Sequence, residues 1–78
     1  MTFNQAITKR IQEICDDNQL SLSRLALKGG ITPSVLYEIR AKGKIPSVVT
    51  LKKLCDGVNI TLSEFFDRDY INEIEFDI

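Results

Sequence analysis

The chain contains no histidine and only two cysteines among its 78 residues. Cys15 and Cys55 are 40 positions apart, and without histidine they cannot form the ligand spacing of a zinc site. The sequence also has no paired carboxylates in an apolar setting and no glycine-rich phosphate loop. We therefore expect neither an enzyme nor a protein that needs a metal or cofactor. Both thiols are expected to be reduced and buried, since each lies at a helical core spacing.

Long apolar runs are also missing. No segment approaches the roughly 20 consecutive apolar residues of a membrane span, and the first residues lack the basic-then-apolar order of a signal peptide. The hydrophobic content of 44% over 78 residues is enough for one compact core but not for two. We therefore expect a soluble, cytoplasmic protein without membrane contact, with one domain over residues 1–67 and a tail over residues 68–78. No small-molecule effector is expected, because a second, sensing domain would not fit.

The charge is nearly balanced overall but unevenly distributed. The formal net charge is −1, yet residues 21–53 carry seven basic side chains against the single acid Glu38, a net charge of +6. Residues 67–78 carry five acids against Arg68, a net charge of −4. A basic segment of this kind favours a nucleic acid partner. The sequence thus joins a basic middle to an acidic tail.

Capping signals mark the starts of five helices. A Ser or Thr side chain accepts from the free amides of the first turn, and a Glu or Gln three residues later completes a capping box. Proline is accepted at the first helical position because an N–H there would have no partner. The signals are Thr2 with Gln5, Ser21, Thr32 with Pro33, Pro46 with Ser47, and Thr61 with Glu64. The stop signals are Gly29–Gly30, Gly43 and Gly57.

Apolar residues between these signals recur every three to four positions, which places them on one face of each helix. The predicted core faces are Phe3, Ile7, Ile11, Ile14 and Cys15 in the first helix, Leu22, Leu25 and Ala26 in the second, Leu36, Ile39 and part of Val35 in the third, Val48, Leu51, Leu54, Cys55 and Val58 in the fourth, and Leu62, Phe65 and Phe66 in the fifth. Five helices joined by short loops predict an all-α bundle.

The tail has a different pattern. Ile74, Phe76 and Ile78 alternate with Glu75 and Asp77, which fits a short strand better than a helix. A disordered acidic tail and an extended segment that pairs with a partner are the alternatives.

The segment over residues 20–39 has the order of a helix-turn-helix motif. A short capped helix is followed by a turn that ends in the apolar Ile31, and then by a second capped helix. In this motif one helix enters the major groove of DNA while the other packs across it and contacts the backbone. Ala26 is small at the position where the two helices should cross closely.

Residues 5–67 resemble the phage-repressor-like helix-turn-helix family, also called the Cro/C1 or xenobiotic-response-element type. The matching run is SLSRLALKGGITPSVLYEIRAKGKIPSVVTLKKLCDGVNITLSEFF. Its family-like positions are Ser21, Leu25–Ala26, Ile31–Thr32, Leu36, Ile39, Gly43, Pro46–Ser47, Thr50–Leu51, Leu54 and Leu62 through Phe66. The resemblance implies a five-helix, lambda-repressor-like domain that binds double-stranded DNA with its third helix, in a bacterial or phage transcriptional regulator.

The resemblance places base contacts on Thr32, Pro33, Ser34 and Glu38, with Tyr37 close by. Ser34 could donate to or accept from a base edge, Glu38 could accept from a cytosine amino group, and Pro33 could touch a thymine methyl. Pro33 and Ser34 equally suit helix initiation alone. Tyr37 equally suits packing over the loop.

Phosphate contacts are implied at the start of the second helix and around the loop after the third. Lysines and helix N-termini suit phosphates because they offer positive charge and free N–H groups, although any single lysine also suits a solvated face. These positions are Ser21, Ser23, Arg40, Lys42, Gly43 and Lys44. The chain departs from the family at Leu22, where a polar glutamine is usual, and at Cys15 and Arg40, where the family often pairs arginine with glutamate.

Two classes of function remain. Sequence-specific duplex binding as a homodimer is favoured, because one recognition helix reads few base pairs and dimers of this motif span half-sites about 34 Å apart. We expect the tail either to assist self-association or to pack on its own domain, through Ile71, Ile74, Phe76 and Ile78. The alternative is a protein-interaction module such as an antitoxin or anti-repressor, favoured by the acidic tail and Leu22. A basic rim on the third helix supports DNA, and an apolar patch supports a protein partner.

Overall fold

The computed structural model describes residues 1–76 and shows six helices joined by short loops. They are α1 (Phe3–Asp17), α2 (Leu22–Lys28), α3 (Pro33–Lys42), α4 (Val48–Gly57), α5 (Leu62–Phe66) and α6 (Asp69–Asn72). No strand forms within residues 1–76. The all-α fold is confirmed, with one more helix than the five predicted. None of the helices in these residues is long and apolar enough to cross a membrane.

The helix starts are those that the capping signals predict. Reciprocal capping boxes form between Thr2 and Gln5 and between Thr61 and Glu64. The Thr61 amide and hydroxyl that bond with Glu64 lower the pKa of its carboxyl. Ser21 and Ser47 accept from amides in the first turns of α2 and α4. Thr32 precedes Pro33 at the start of α3 but makes no side-chain cap bond, so proline alone marks that start.

The core lies where the faces of α1 to α5 meet. Phe65 is fully buried among side chains that include Ile7, Leu25, Leu36 and Leu54. The two cysteines are free and buried, as predicted, and burial raises the pKa of both thiols.

One predicted core residue lies outside. Val48 is 66% exposed, so its place in the buried stripe of α4 was wrong. Val48 is the first residue of α4, whereas the close contacts of this helix with α2 lie at Lys53, Leu54 and Gly57. Val48 has the sequence spacing of a core residue, but too few side chains surround the first turn of α4 to bury it.

The ends of α2 and α4 approach at backbone distance. A Cβ atom at Gly29 would lie 2.9 Å from the carbonyl oxygen of Lys53. A Cβ atom at Gly57 would lie 2.8 Å from the carbonyl carbon of Lys28 and 2.9 Å from the Gly29 nitrogen. Real Cβ atoms essentially never come within 3.0 Å of another heavy atom. Both glycines are therefore required by the packing of the two helices.

Arg10 is a buried cation that joins α1 to α5. It is 4% exposed, its Nε donates to the Phe65 carbonyl at 2.7 Å, and its Nη2 donates to the Glu64 carbonyl at 3.0 Å. Its guanidinium also lies 5.6 Å from the centre of the Phe65 ring. Because the last carbonyls of a helix have no partner within it, Arg10 gives the Phe65 carbonyl a donor, and it adds a second donor to the Glu64 carbonyl, which also accepts from the Asp67 amide.

The described part of the tail packs against α1. Ile71 is buried, and the Tyr70 hydroxyl donates to the Glu13 carboxylate while Lys9 Nζ lies 4.4 Å from the centre of its ring. Burial, and then the bond to Glu13, raise the pKa of Tyr70 to about 12.

The strand predicted for the end of the tail is not found over residues 74–76, so that prediction was wrong for this part. The chain reaches this segment from α6, which docks on α1, and Phe76 ends 6.0 Å from Phe3 between ring centres. Ile78 and Asp77 lie outside the described residues. A four-residue helix such as α6 is too short to show a period of its own in the sequence.

Candidate nucleic-acid interface

α2 and α3 are held together by their buried faces and by the turn between them. Leu25, Ala26, Leu36 and Ile39 are each at most 2% exposed. In the turn, the Ile31 amide donates to the Ala26 carbonyl at 2.9 Å. Gly30 adopts a φ of 70°, a left-handed conformation that glycine accepts readily. The predicted helix-turn-helix geometry is present, with small Ala26 fully buried at the crossing.

The first turn of α3 presents polar atoms to solvent. Thr32 and Ser34 are exposed and Pro33 is half-buried. The Val35 side chain is also partly exposed and Leu36 faces the core. The structure thus brings together three of the five predicted base-contacting residues at the N-terminal end of α3.

Tyr37 links the two helices on their outer surface. Its hydroxyl shares a hydrogen bond with Ser23 Oγ at 3.0 Å, and the Arg40 guanidinium lies 5.0 Å from the centre of its ring. Ser23 belongs to α2, while Tyr37 and Arg40 belong to α3. Tyr37 therefore lies between two predicted phosphate-contacting residues.

Glu38 is paired with the loop after α3. Lys44 Nζ donates to Glu38 Oε2 at 2.9 Å, and this hydrogen bond and the lysine charge lower the pKa of the Glu38 carboxyl. The pair is exposed, and Oε2 is the atom that Lys44 uses. Glu38 Oε1 makes no hydrogen bond within the described residues and remains available to a base that donates.

The end of α3 carries the remaining basic groups. Lys42 is its last residue, and Gly43 follows with a φ of 70° that turns the chain into the α3–α4 loop, residues 43–47. Lys42, Gly43 and Lys44 are all exposed. Ser21 is exposed at the start of α2, where its hydroxyl accepts from the Arg24 amide.

Two departures from the family have a structural explanation. Leu22 is 8% exposed and belongs to the core, so it replaces a polar residue with an internal contact. Cys15 is buried and Arg40 is exposed, and the two are close enough for the arginine charge to oppose the rise in the Cys15 pKa. No carboxylate is needed at Arg40, because its neighbour in α1 is a neutral thiol.

One contact at this surface could not be predicted from the sequence. Asn4 Nδ2 in α1 donates to the carbonyls of Ile39 at 3.1 Å and Lys44 at 3.0 Å. Asn4 lies two residues after the capping residue Thr2, and nothing in its spacing points to residues 35 and 40 positions away. This contact can be found only from the tertiary structure.

The exposed α3, packed across α2 and flanked by basic side chains, defines a helix-turn-helix protein. A comparison with protein families matches residues 10–69 to the Cro/C1-type HTH DNA-binding domain. The chain belongs to this family, and it is a small DNA-binding regulator, a non-enzymatic class. No curated protein and no solved structure matches it.

Proposed function

We propose that the chain binds specific sequences of double-stranded DNA as a repressor-like transcriptional regulator, with α3 in the major groove. The observation that carries the proposal is the arrangement of α3. Its first turn exposes Thr32 and Ser34, and its other end exposes Arg40 and Lys42. Polar groups at the start of a recognition helix suit base edges, and cations at its margins suit phosphates.

Base contacts are proposed for five residues of α3 and its cap. Ser34 is suited to a base donor or acceptor, Glu38 to a cytosine amino group, and Pro33 to a thymine methyl. Thr32 and Tyr37 complete the set. Because Glu38 is paired with Lys44 in the free protein, its contact with a base is proposed to depend on the position of the loop.

Phosphate contacts are proposed on both sides of α3. One group lies at the start of α2, and the other runs from the last turn of α3 into the α3–α4 loop. The residues are Ser21, Ser23, Arg40, Lys42, Gly43 and Lys44.

The functional unit is proposed to be a homodimer. One α3 contacts only a few base pairs, and two copies about one helical turn apart on DNA would double the site that is read. The tail retains Phe76 as an exposed apolar residue for self-association, whereas Ile71 is buried on its own domain. Light scattering of the free protein and of its complex with DNA tests the number of copies.

The proposal is tested by fluorescence anisotropy on a mixed-sequence duplex at several salt concentrations. We expect roughly micromolar binding that weakens steeply with salt, because Lys and Arg displace condensed counterions. A Lys42→Ala, Lys44→Ala double variant should bind more weakly, with a salt slope shallower by about two. The matched control is Lys9→Ala, Lys52→Ala, which removes equal charge from side chains that contact Tyr70 and Asp56.

The control should retain the wild-type salt slope. Equal weakening by both double variants would mean that charge acts through the whole molecule and not through the end of α3. Absence of wild-type binding even at low salt would contradict the proposed function.

Replacing Tyr37 with Phe should weaken binding about twofold to fivefold, because it removes a hydrogen bond worth roughly 0.5–1 kcal/mol that holds Ser23 against α3. Tyr70→Phe is the matched control, since it removes a tyrosine hydroxyl bond on the opposite, tail side of α1. The anisotropy titration should distinguish the two variants. Equal affinities for wild type and Tyr37→Phe would remove Tyr37 from the site.

A second candidate function is a protein-interaction module. Ile45, Val48 and Val49 are between 57% and 66% exposed and lie together in the sequence, at the end of the α3–α4 loop and the start of α4. Such exposed apolar side chains are typical of surfaces that contact another protein. Failure to bind DNA in the titration above would favour this candidate.

A further inference from the structure

The C-terminal end of α3 is completed differently from the ends of the other helices. Over residues 1–76, the C-cap amides of α1, α2, α4, α5 and α6 each donate to a carbonyl in the preceding turn. The Gly43 amide at the end of α3 makes no such bond in the same part of the chain. Because the last carbonyls of a helix have no partner within it, the end of α3 depends on groups from elsewhere.

Asn4 supplies that group. Its Nδ2 donates to the Ile39 carbonyl in the last turns of α3 and to the Lys44 carbonyl in the α3–α4 loop. Within the described residues, positions 44–46 make no backbone-to-backbone hydrogen bond. The other contact that holds Lys44 is its exposed ion pair with Glu38, and exposed pairs contribute little. The backbone of the loop is therefore held mainly by one amide side chain from α1.

We infer that Asn4 is a positioning residue for DNA binding, which fixes the α3–α4 loop against the end of the recognition helix. The inference rests on the proposed function and extends it to a residue that is itself outside the proposed contact set. A loop that is ordered before binding loses less conformational entropy when its groups meet phosphates. The Gly43 amide, which does not cap α3, remains available as a donor to a phosphate oxygen.

The test uses two substitutions and two matched controls. Asn4→Ala removes both hydrogen bonds. Asn4→Asp replaces the donor with an acceptor that repels the same two carbonyls, and it adds a negative charge to the first turn of α1, where the helix dipole favours it. Asn72→Ala controls for a lost double amide contact, since Asn72 Nδ2 also donates to two carbonyls, those of Phe66 and Arg68. Gln5→Glu controls for the added charge and retains a residue type that the capping box accepts.

Each variant is titrated against the mixed-sequence duplex at several salt concentrations, below its unfolding temperature. We expect both Asn4 variants to bind about tenfold more weakly than their own controls, as the loss of two hydrogen bonds predicts. The salt slope should become shallower by about one, since one phosphate contact of the loop is lost. Hydrogen exchange of the helical amides in the last turn of α3, at residues 40–42, should quicken in the Asn4 variants and stay unchanged in the controls.

The positioning role of Asn4 and the DNA binding of the chain are distinguished by these outcomes. If wild type binds DNA, and Asn4→Asp matches Gln5→Glu in affinity and salt slope, then Asn4 has no positioning role and the proposed function stands. If Asn4→Ala and Asn72→Ala weaken binding equally, the effect is general destabilisation and the inference is wrong. If wild type does not bind, the proposed function itself fails.

Discussion

Replacing Arg10 with Met is expected to lower the free energy of unfolding by about 3 kcal/mol. Methionine keeps an apolar stem of similar length but leaves the buried Phe65 carbonyl without its donor, and it leaves the Glu64 carbonyl with the Asp67 amide alone. Hydrogen bonds from a charged group contribute more than neutral ones, and buried carbonyls that lose a partner cannot turn to water. Urea denaturation followed by circular dichroism measures the loss.

Arg68→Ala is the matched control for this prediction. Both arginines approach the Glu13 carboxylate, Arg10 at 3.8 Å and Arg68 at 3.5 Å, but the Arg68 side chain is 37% exposed, so its pair should contribute at most about 1 kcal/mol. If both variants lose equally little, the buried guanidinium does not hold α5 to α1. If Arg68→Ala alone loses much stability, then the tail, and not Arg10, has that role.

Gly57→Ala is expected to cost about 2 kcal/mol, although alanine is normally the better residue in a helix. The new Cβ would lie within 2.8–2.9 Å of backbone atoms of Lys28 and Gly29, and backbone atoms cannot rotate away as a side chain can. α2 and α4 would have to separate, which disturbs the packing of Leu25 and Leu54 behind them. Thermal and urea unfolding measure the change.

Gly30→Ala separates this backbone clash from the strain that any side chain has at a positive φ. Gly30 has a φ of 70° and nothing within 4 Å of the position of a Cβ atom, so alanine there should cost only the roughly 1 kcal/mol of a left-handed backbone. A Gly57→Ala variant as stable as wild type would mean that the helices are not in backbone contact.

Features encoded within a few residues could be predicted from the sequence. The capping boxes at Thr2 and Thr61 and the serine caps at Ser21 and Ser47 set the helix starts, because each depends on side chains at most three residues apart. The core faces followed from helical spacing in the same way. Val48 is the exception, since its exposure depends on which neighbours α4 meets and not on its place in the helix.

Features that depend on distant partners could not be predicted. The polar anchors Arg10 and Asn4 are in α1, and their partners are carbonyl groups, which leave no side-chain pattern in the sequence. α6 is only one turn long and is held on α1 by Ile71 and Tyr70, so the sequence shows no helical period for it. The residues after α6 alternate between apolar and acidic, and that alternation predicted a strand. At the candidate site the residue types were expected, but the links from Tyr37 to Ser23 and from Glu38 to Lys44 appear only in three dimensions.

The position of both polar anchors on α1 has a consequence for synthesis of the chain. α1 leaves the ribosome before the other five described helices, yet Asn4 must wait for a partner 35 residues later and Arg10 for one 55 residues later. Until α5 has emerged, the cationic side chain of Arg10 has no carbonyls to occupy, and the apolar face beside it has no Phe65 to cover it. We therefore expect the nascent protein to reach its final packing only when nearly the whole domain is outside the exit tunnel, as a single late step and not helix by helix.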